Sequence, residues 1–210
     1  MRAMNEFPKK LLKSHRHFIK NHYDAKLFQT LANKQKPKIM IISCCDSRVT
    51  PETIFDAQPG DLFVVRNVAN IVPPYEPDGQ HHATSAAIEF AVQALGVEHI
   101  VIMGHGRCGG IQAILDPIAT PLCPGDFIGK WMDIVRPIAQ KIMANDPVEK
   151  QTILEQLSIR NSLHNIRGFP FVRELEEKNL LHIHGAWFDI RTGELWILNP
   201  NSNEFILNTQ

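Results

Sequence analysis

The chain has 210 residues, 44% of them hydrophobic and 21% charged, which is ordinary globular usage and excludes wholesale disorder. Lys plus Arg and Asp plus Glu each number 22, so no net field draws the chain to nucleic acid or to an anionic membrane surface. No apolar run approaches the roughly 20 residues of a membrane-spanning helix. The basic N-terminus lacks an apolar stretch ending in a small-residue cleavage site, so a cytoplasmic location with reduced thiols is expected.

Residues 5–35 alternate apolar and basic positions and predict one or two amphipathic helices, broken near residues 21–24. Such an arm packs either on its own domain or on a second subunit. The period then changes. Residues 38–43 form a short β-branched run and predict a buried strand. Thr50-Pro51-Glu52 offers an N-cap, a proline at the first helical position and an acid in the first turn, so a short helix follows. After a turn at Gln58-Pro59-Gly60, residues 61–66 read as a second strand. Residues 83–95 have helical spacing and end at Gly96. Residues 98–104 predict a third strand, with a glycine-rich turn and a helix near 111–115 behind it. Further helices are expected near 128–143, 148–166 and 171–178. Strands at 181–189 and 194–198 close the pattern, joined by a turn at Arg191-Thr192-Gly193. The predicted fold is α/β, one domain over 1–210. Its central sheet is mostly parallel and flanked by helices, with an N-terminal helical arm (1–35) and an antiparallel C-terminal edge.

Two polar clusters follow predicted strands: Cys44-Cys45-Asp46-Ser47-Arg48 and His105-Gly106-Arg107-Cys108-Gly109-Gly110. Sites in open sheets form at the carboxyl ends of strands. One thiolate of the first cluster with His105 and Cys108 makes a Cys₂His set, the three-ligand arrangement of a catalytic zinc with an open fourth position. Gly106 and Gly109 are expected to let the backbone curl between the ligands. On these residues alone two other readings stay open. One is a nucleophilic cysteine with His105 as base. The other is a phosphate-cradling loop, although it lacks the spacing of either common phosphate motif. In an extended segment Cys44, Asp46 and Arg48 face one side. Asp46 would then accept a hydrogen bond from a metal-bound water, and Arg48 would keep it ionised; the bland alternative is a solvated ion pair of little energetic consequence. Cys123 reads as a packed loop residue, His182 and His184 as a weak second metal pair on one strand, and residues 173–178 as a solvated helix face.

Cys44-x-Asp46-Ser47-Arg48 with His105-x-x-Cys108 resembles the signature of the β-class carbonic anhydrases. The likeness runs through roughly residues 37–115, where Pro59-Gly60, Phe63-Val64-Val65-Arg66-Asn67-Val68-Ala69-Asn70 and the turn at 104–110 also match. Val72-Pro73-Pro74-Tyr75 is similar to the plant-type subclass. The resemblance implies one Zn2+ per chain, held by Cys44, His105 and Cys108, with Cys45 at a variable position. It implies Asp46 and Arg48 as the catalytic dyad and Gln35 as a hydrogen-bond partner of the substrate. Phe63, Val68 and Phe90 would line a CO2 pocket partly across a dimer interface, with Gly109 as a further substrate contact. Phe90 stands where the plant-type pattern often has Tyr, so a hydroxyl is missing. The implied activity is a lyase's: reversible hydration of CO2 to bicarbonate and a proton by attack of zinc-bound hydroxide. The implied assembly is a homodimer or homotetramer. His81 and His82 are candidates for relaying the proton. Some bacterial members resemble this chain but carry a non-catalytic bicarbonate pocket of a Trp, an Arg and a Tyr. The matching positions here are Ile41, Arg66 and Phe188. Neither Ile41 nor Phe188 has a side-chain donor, so no such pocket is expected, Asp46 stays off the metal, and Arg66 serves loop carbonyls instead.

Overall fold

The computed structural model describes residues 7–116, 118, 120–142 and 146–209; residues 1–6 of the predicted arm and Met143 of a predicted helix lie outside them. The chain divides into two compact units, Met1–Gln35 and Lys36–Gln210. In the first, α1 (Lys9–Asn21) and α2 (Ala25–Asn33) meet at the expected break. Asp24 starts α2 by accepting hydrogen bonds from the backbone N–H groups of Lys26 and Leu27, the task of an N-cap. Phe18, Tyr23 and Phe28 gather around the break, with ring centroids 4.9–6.2 Å apart. No residue of either helix is buried.

The second unit runs β1 (Ile39–Cys44), α3 (Pro51–Ile54), β2 (Leu62–Asn67), α4 (Ala83–Glu89), β3 (His99–His105), α5 (Gly109–Leu115), α6 (Phe127–Met132), α7 (Arg136–Ala139), α8 (Pro147–Ile166), α9 (Pro170–Glu177), β4 (His182–Phe188), β5 (Leu195–Leu198) and β6 (Phe205–Leu207). The strands form one sheet in the order β2-β1-β3-β4-β5-β6. The first three pairings are parallel and the last two antiparallel, as the α/β reading requires. Alternation along the strands sorts the core by face. Met40, Ile42, Ile100 and Ile102 pack with Ile88, Ile159, Leu163 and Val172 from the helices. Ile41, Met103 and Ala186 turn to the other face. No helix among the described residues is long and apolar enough to cross a membrane.

Four local features depart from the sequence reading. The helix expected over 128–143 is broken into α6 and α7. Pro137 cannot donate to the carbonyl four residues back, and its ring clashes there. The helix expected over 83–95 changes to π geometry at Phe90–Leu95 before Gly96, at φ +66°, ends it in the left-handed region. Strand β6 was not anticipated: a turn at Asn199–Asn203 brings Phe205–Leu207 back along β5. Cys123 is exposed rather than packed, in a surface loop where the Asp126 N–H donates to the Cys123 carbonyl.

Candidate metal centre

Parallel pairing of β1 with β2 and β3 brings the two motifs to one edge of the sheet. Cys44 is the last residue of β1 and His105 the last of β3, and both are buried. Cys108 follows one tight turn later and is also buried. The two sulfurs lie 3.9 Å apart, and one ligand atom each from Cys44, His105 and Cys108 falls within 4.8 Å of the others. Two thiolates at about 2.3 Å from a tetrahedral ion stand about 3.8 Å apart, so the observed spacing suits zinc. The imidazole is already oriented: Nδ1 of His105 donates to the Gly106 carbonyl at 2.9 Å, which leaves Nε2 as the free lone pair. That Nε2 is buried without a hydrogen-bond partner. An orphaned acceptor beside two sulfurs is a place for a cation. Cys45, next in sequence, is exposed and points away from this group.

Protonation within the group follows the same logic. A hydrogen bond from Cys108, opposed by burial and helped by His105, brings the Cys44 thiol down to about 4. Its sulfur also takes the Ala69 N–H at 3.4 Å. Cys108 is pushed upward, first because it is the donor to Cys44 and then by burial. Burial works against protonating His105, yet Cys44, the Gly106 carbonyl and Asp46 together raise it. Without a metal the cluster retains protons that a dication would replace.

Asp46 and Arg48 sit beside the trio. Arg48 grips the carboxylate with two parallel bonds, Nε to Oδ1 at 2.9 Å and Nη2 to Oδ2 at 2.6 Å. The Arg48 guanidinium thus holds Asp46 well below the usual carboxylate range, against a smaller cost of burial. Oδ2 is also 3.9 Å from His105 Nε2. Arg48 donates further to the Arg107 carbonyl at 3.1 Å, tying the first motif to the second. Arg66 behaves as expected: it donates to the carbonyls of Cys44 at 2.9 Å, Asp46 at 2.7 Å and Val49 at 3.3 Å. Its guanidinium is therefore taken up by the loop, while Ile41 is buried in the core and Phe188 is half-buried against a different cluster.

The glycines act differently from expectation. The left-handed residue between the ligands is Arg107, at φ +60°, not Gly106 or Gly109. Space is what demands glycine nearby. A Cβ on Gly104 would stand 2.7 Å from Ile159 Cδ1, and one on Gly110 2.9 Å from Val68 Cγ1. Ala69 and Asn70 are also left-handed, at φ +62° and +48°, and this turn is what aims the Ala69 N–H at Cys44.

Phe63 and Phe90 meet, with ring centroids 5.9 Å apart. Val68 lies against the Gly110 turn and lines a groove of about 640 Å³ with Asn67, Thr84, Ile128, Trp131, His81 and His82. His82 Nε2 is 2.7 Å from Asp78 Oδ1. Gly109 opens α5 beside a different hollow, and Gln35 is an exposed residue of the N-terminal unit.

The sequence reading missed Glu155, which is buried behind the second motif. Its carboxylate accepts the Cys108 N–H at 3.0 Å, the Trp187 indole N–H at 3.1 Å and the Gln151 amide at 3.1 Å. Burial raises its pKa, and those three donors oppose the rise. A signal was present. Gln151, Glu155, Ser158 and Ser162 recur at helical spacing and form a polar stripe on a face that also carries Leu154 and Ile159.

Residues 39–195 match a family model described as carbonic anhydrase. Beta carbonic anhydrase 3 of Arabidopsis thaliana is 37% identical over 193 residues, covering 87% of this chain and 74% of that protein. A carbonic anhydrase of Helicobacter pylori strain J99 is 33% identical over 198 residues, covering 90% and 89%. Among solved structures, the β-carbonic anhydrase CcaA superposes with a TM-score of 0.88 at 25% identity over 96% of this chain and 92% of that one. One described among two tetrameric β-carbonic anhydrases of Sordaria macrospora gives 0.77 at 32% identity, covering 91% and 96%.

Proposed function

The chain belongs to the β-carbonic anhydrase family, and we propose that it hydrates carbon dioxide reversibly, to bicarbonate and a proton, at one zinc ion held by Cys44, His105 and Cys108. Hydration of carbon dioxide is the family's general reaction. The observation that carries the proposal is the pairing of an unpartnered His105 Nε2 with two sulfurs 3.9 Å apart, next to an ionised carboxylate. Zinc in that position supplies Lewis acidity, which makes water a nucleophile near neutral pH.

The chain's own groups do the rest. Asp46, locked by Arg48, accepts a hydrogen bond from the attacking water and so fixes which lone pair faces the substrate. Arg48 is held in turn by the Arg107 carbonyl, so the acceptor cannot swing freely. CO2 is small and apolar, and Phe63, Phe90 and Val68 offer apolar walls for it. Gly109 supplies a polar contact to bicarbonate. His81 and His82, on the groove that Val68 lines, carry the proton outward. The Asp46–Arg48 clamp and the engagement of Arg66 by loop carbonyls support a plant-type site without a second bicarbonate pocket. Assembly as a homodimer or homotetramer and a cytoplasmic location belong to the same proposal.

Stopped-flow CO2 hydration on protein of measured zinc content tests the reading. The expected result is saturable hydration that vanishes in Cys44→Ser. Protein with one zinc per chain and only the uncatalysed rate would overturn it.

A further inference from the structure

We propose that His99, His184 and His182 form a second metal site, for a divalent late first-row transition ion. The site lies at the opposite end of β3 and β4 from the cysteine centre, and the proposal goes beyond the hydration reaction. β3 and β4 run parallel, with His99 paired to His182 and Val101 to His184. His182 and His184 are two residues apart on one strand, so all three side chains share one face of the sheet. Nδ1 of His99 is 3.1 Å from Nε2 of His184. Two imidazole nitrogens bound at about 2.0–2.1 Å to one ion, at an angle between square and tetrahedral, stand about 2.9–3.4 Å apart. The pair is therefore set at a chelating distance.

Chelation needs both nitrogens as lone pairs. At present one N–H points to the other nitrogen, so binding moves that proton to the far nitrogen of its own ring and requires no net loss. Partial burial, with His99 and His182 close by, pushes the His184 pKa downward. His182 stacks on His99 with ring centroids 5.2 Å apart and 28° between the planes. Its nitrogens do not converge with the other two, and it joins as a third arm by rotation about its exposed side-chain bonds. No carboxylate is drawn into the trio: the neighbouring Glu98 is engaged by Lys38. An all-imidazole set favours nickel, copper or zinc over magnesium or calcium. His99 and His105 stand at the two ends of β3, six residue steps or about 20 Å apart, so the two sites share no ligand.

Nickel(II) is the probe, since it does not oxidise the free thiols. The full-length zinc-loaded protein is titrated with it and analysed for both metals after gel filtration, with imidazole proton signals followed by NMR. One nickel per chain beyond the zinc is expected, with paramagnetic broadening of His99 and His184. The double variant His99→Gln, His184→Gln should lose the nickel while keeping zinc and CO2 hydration, which also reports that it folds. His182→Gln should weaken nickel binding without abolishing it. Wild-type protein that retains no nickel would overturn the proposal. So would nickel retained at full stoichiometry by the double variant, since it would place the ion elsewhere, as on His17 and His22.

Discussion

Cys44 and Cys45 are adjacent and chemically identical, and burial separates their roles. Cys44 closes β1 with its sulfur facing Cys108, whereas Cys45 faces solvent. Cys45→Ser should keep about one zinc per chain and Cys44→Ser should lose it. Metal analysis of the two variants decides, and the reverse outcome would show that the wrong sulfur has been assigned. Arg48→Ala should retain zinc yet lower turnover roughly 10- to 100-fold, the usual cost of removing an outer-shell partner. Wild-type turnover between pH 6 and 9 would exclude the dyad role. Residues with a chemical signature were legible without coordinates, because a thiol, an imidazole and a carboxylate at strand ends have few bland uses. Arg107 was not. Its contributions are a backbone carbonyl and a left-handed φ, and neither is written in its side chain.

α8 shows what one element does for the site. Its apolar positions Ile159 and Leu163 face the sheet and Leu154 packs in the cluster with Cys108 and Ile111, while its buried polar stripe serves backbone elsewhere. Glu155 takes the Cys108 N–H, Ser162 takes the Val72 N–H at 3.1 Å, and Asn165 donates to the Val72 carbonyl at 2.8 Å. The helix thus holds the turn after β3 and the loop after β2 at a fixed separation. Glu155→Leu leaves the Cys108 and Trp187 donors buried and unpaired, so it should cost about 3 kcal/mol and loosen zinc. Glu155→Gln keeps an acceptor and should cost less. Thermal unfolding and zinc retention of the pair check this, and equal losses would mean that packing alone is at stake. Helix identity was readable from period, but its interruptions were not. Pro137 stands inside the apolar period of residues 128–143 and breaks it. The π stretch after Glu89 and strand β6 depend on tertiary partners, Phe63 for the one and β5 for the other, which no local window contains.

Over the whole molecule, the site's own walls argue for association. Val68 and Phe90 are 37% and 47% exposed in the single chain, yet a pocket for CO2 has to exclude water. Light scattering should therefore give at least twice the chain mass at micromolar concentration; a stable, fully active monomer would contradict the proposed pocket. Zinc should also be a large part of the fold's stability. Removing it leaves two buried sulfurs and the His105 Nε2 with nothing between them but residual protons. Those three groups come from two strand ends and one turn that are otherwise held by hydrogen bonds to Arg66, Arg48 and Glu155. A ligand present at about 1,000 times its Kd adds about 4 kcal/mol to the folded state. In a chain of this length that corresponds to a Tm change of roughly 8–16 °C. Stripping zinc with dipicolinate should lower Tm by that order and abolish hydration together. Readdition of zinc should restore both, and magnesium neither, because thiolate and imidazole donors are poor ligands for a hard cation. Calorimetry and stopped-flow assays on the same samples separate the outcomes. An unchanged Tm after verified loss of zinc would mean that Cys44, His105 and Cys108 do not hold the ion.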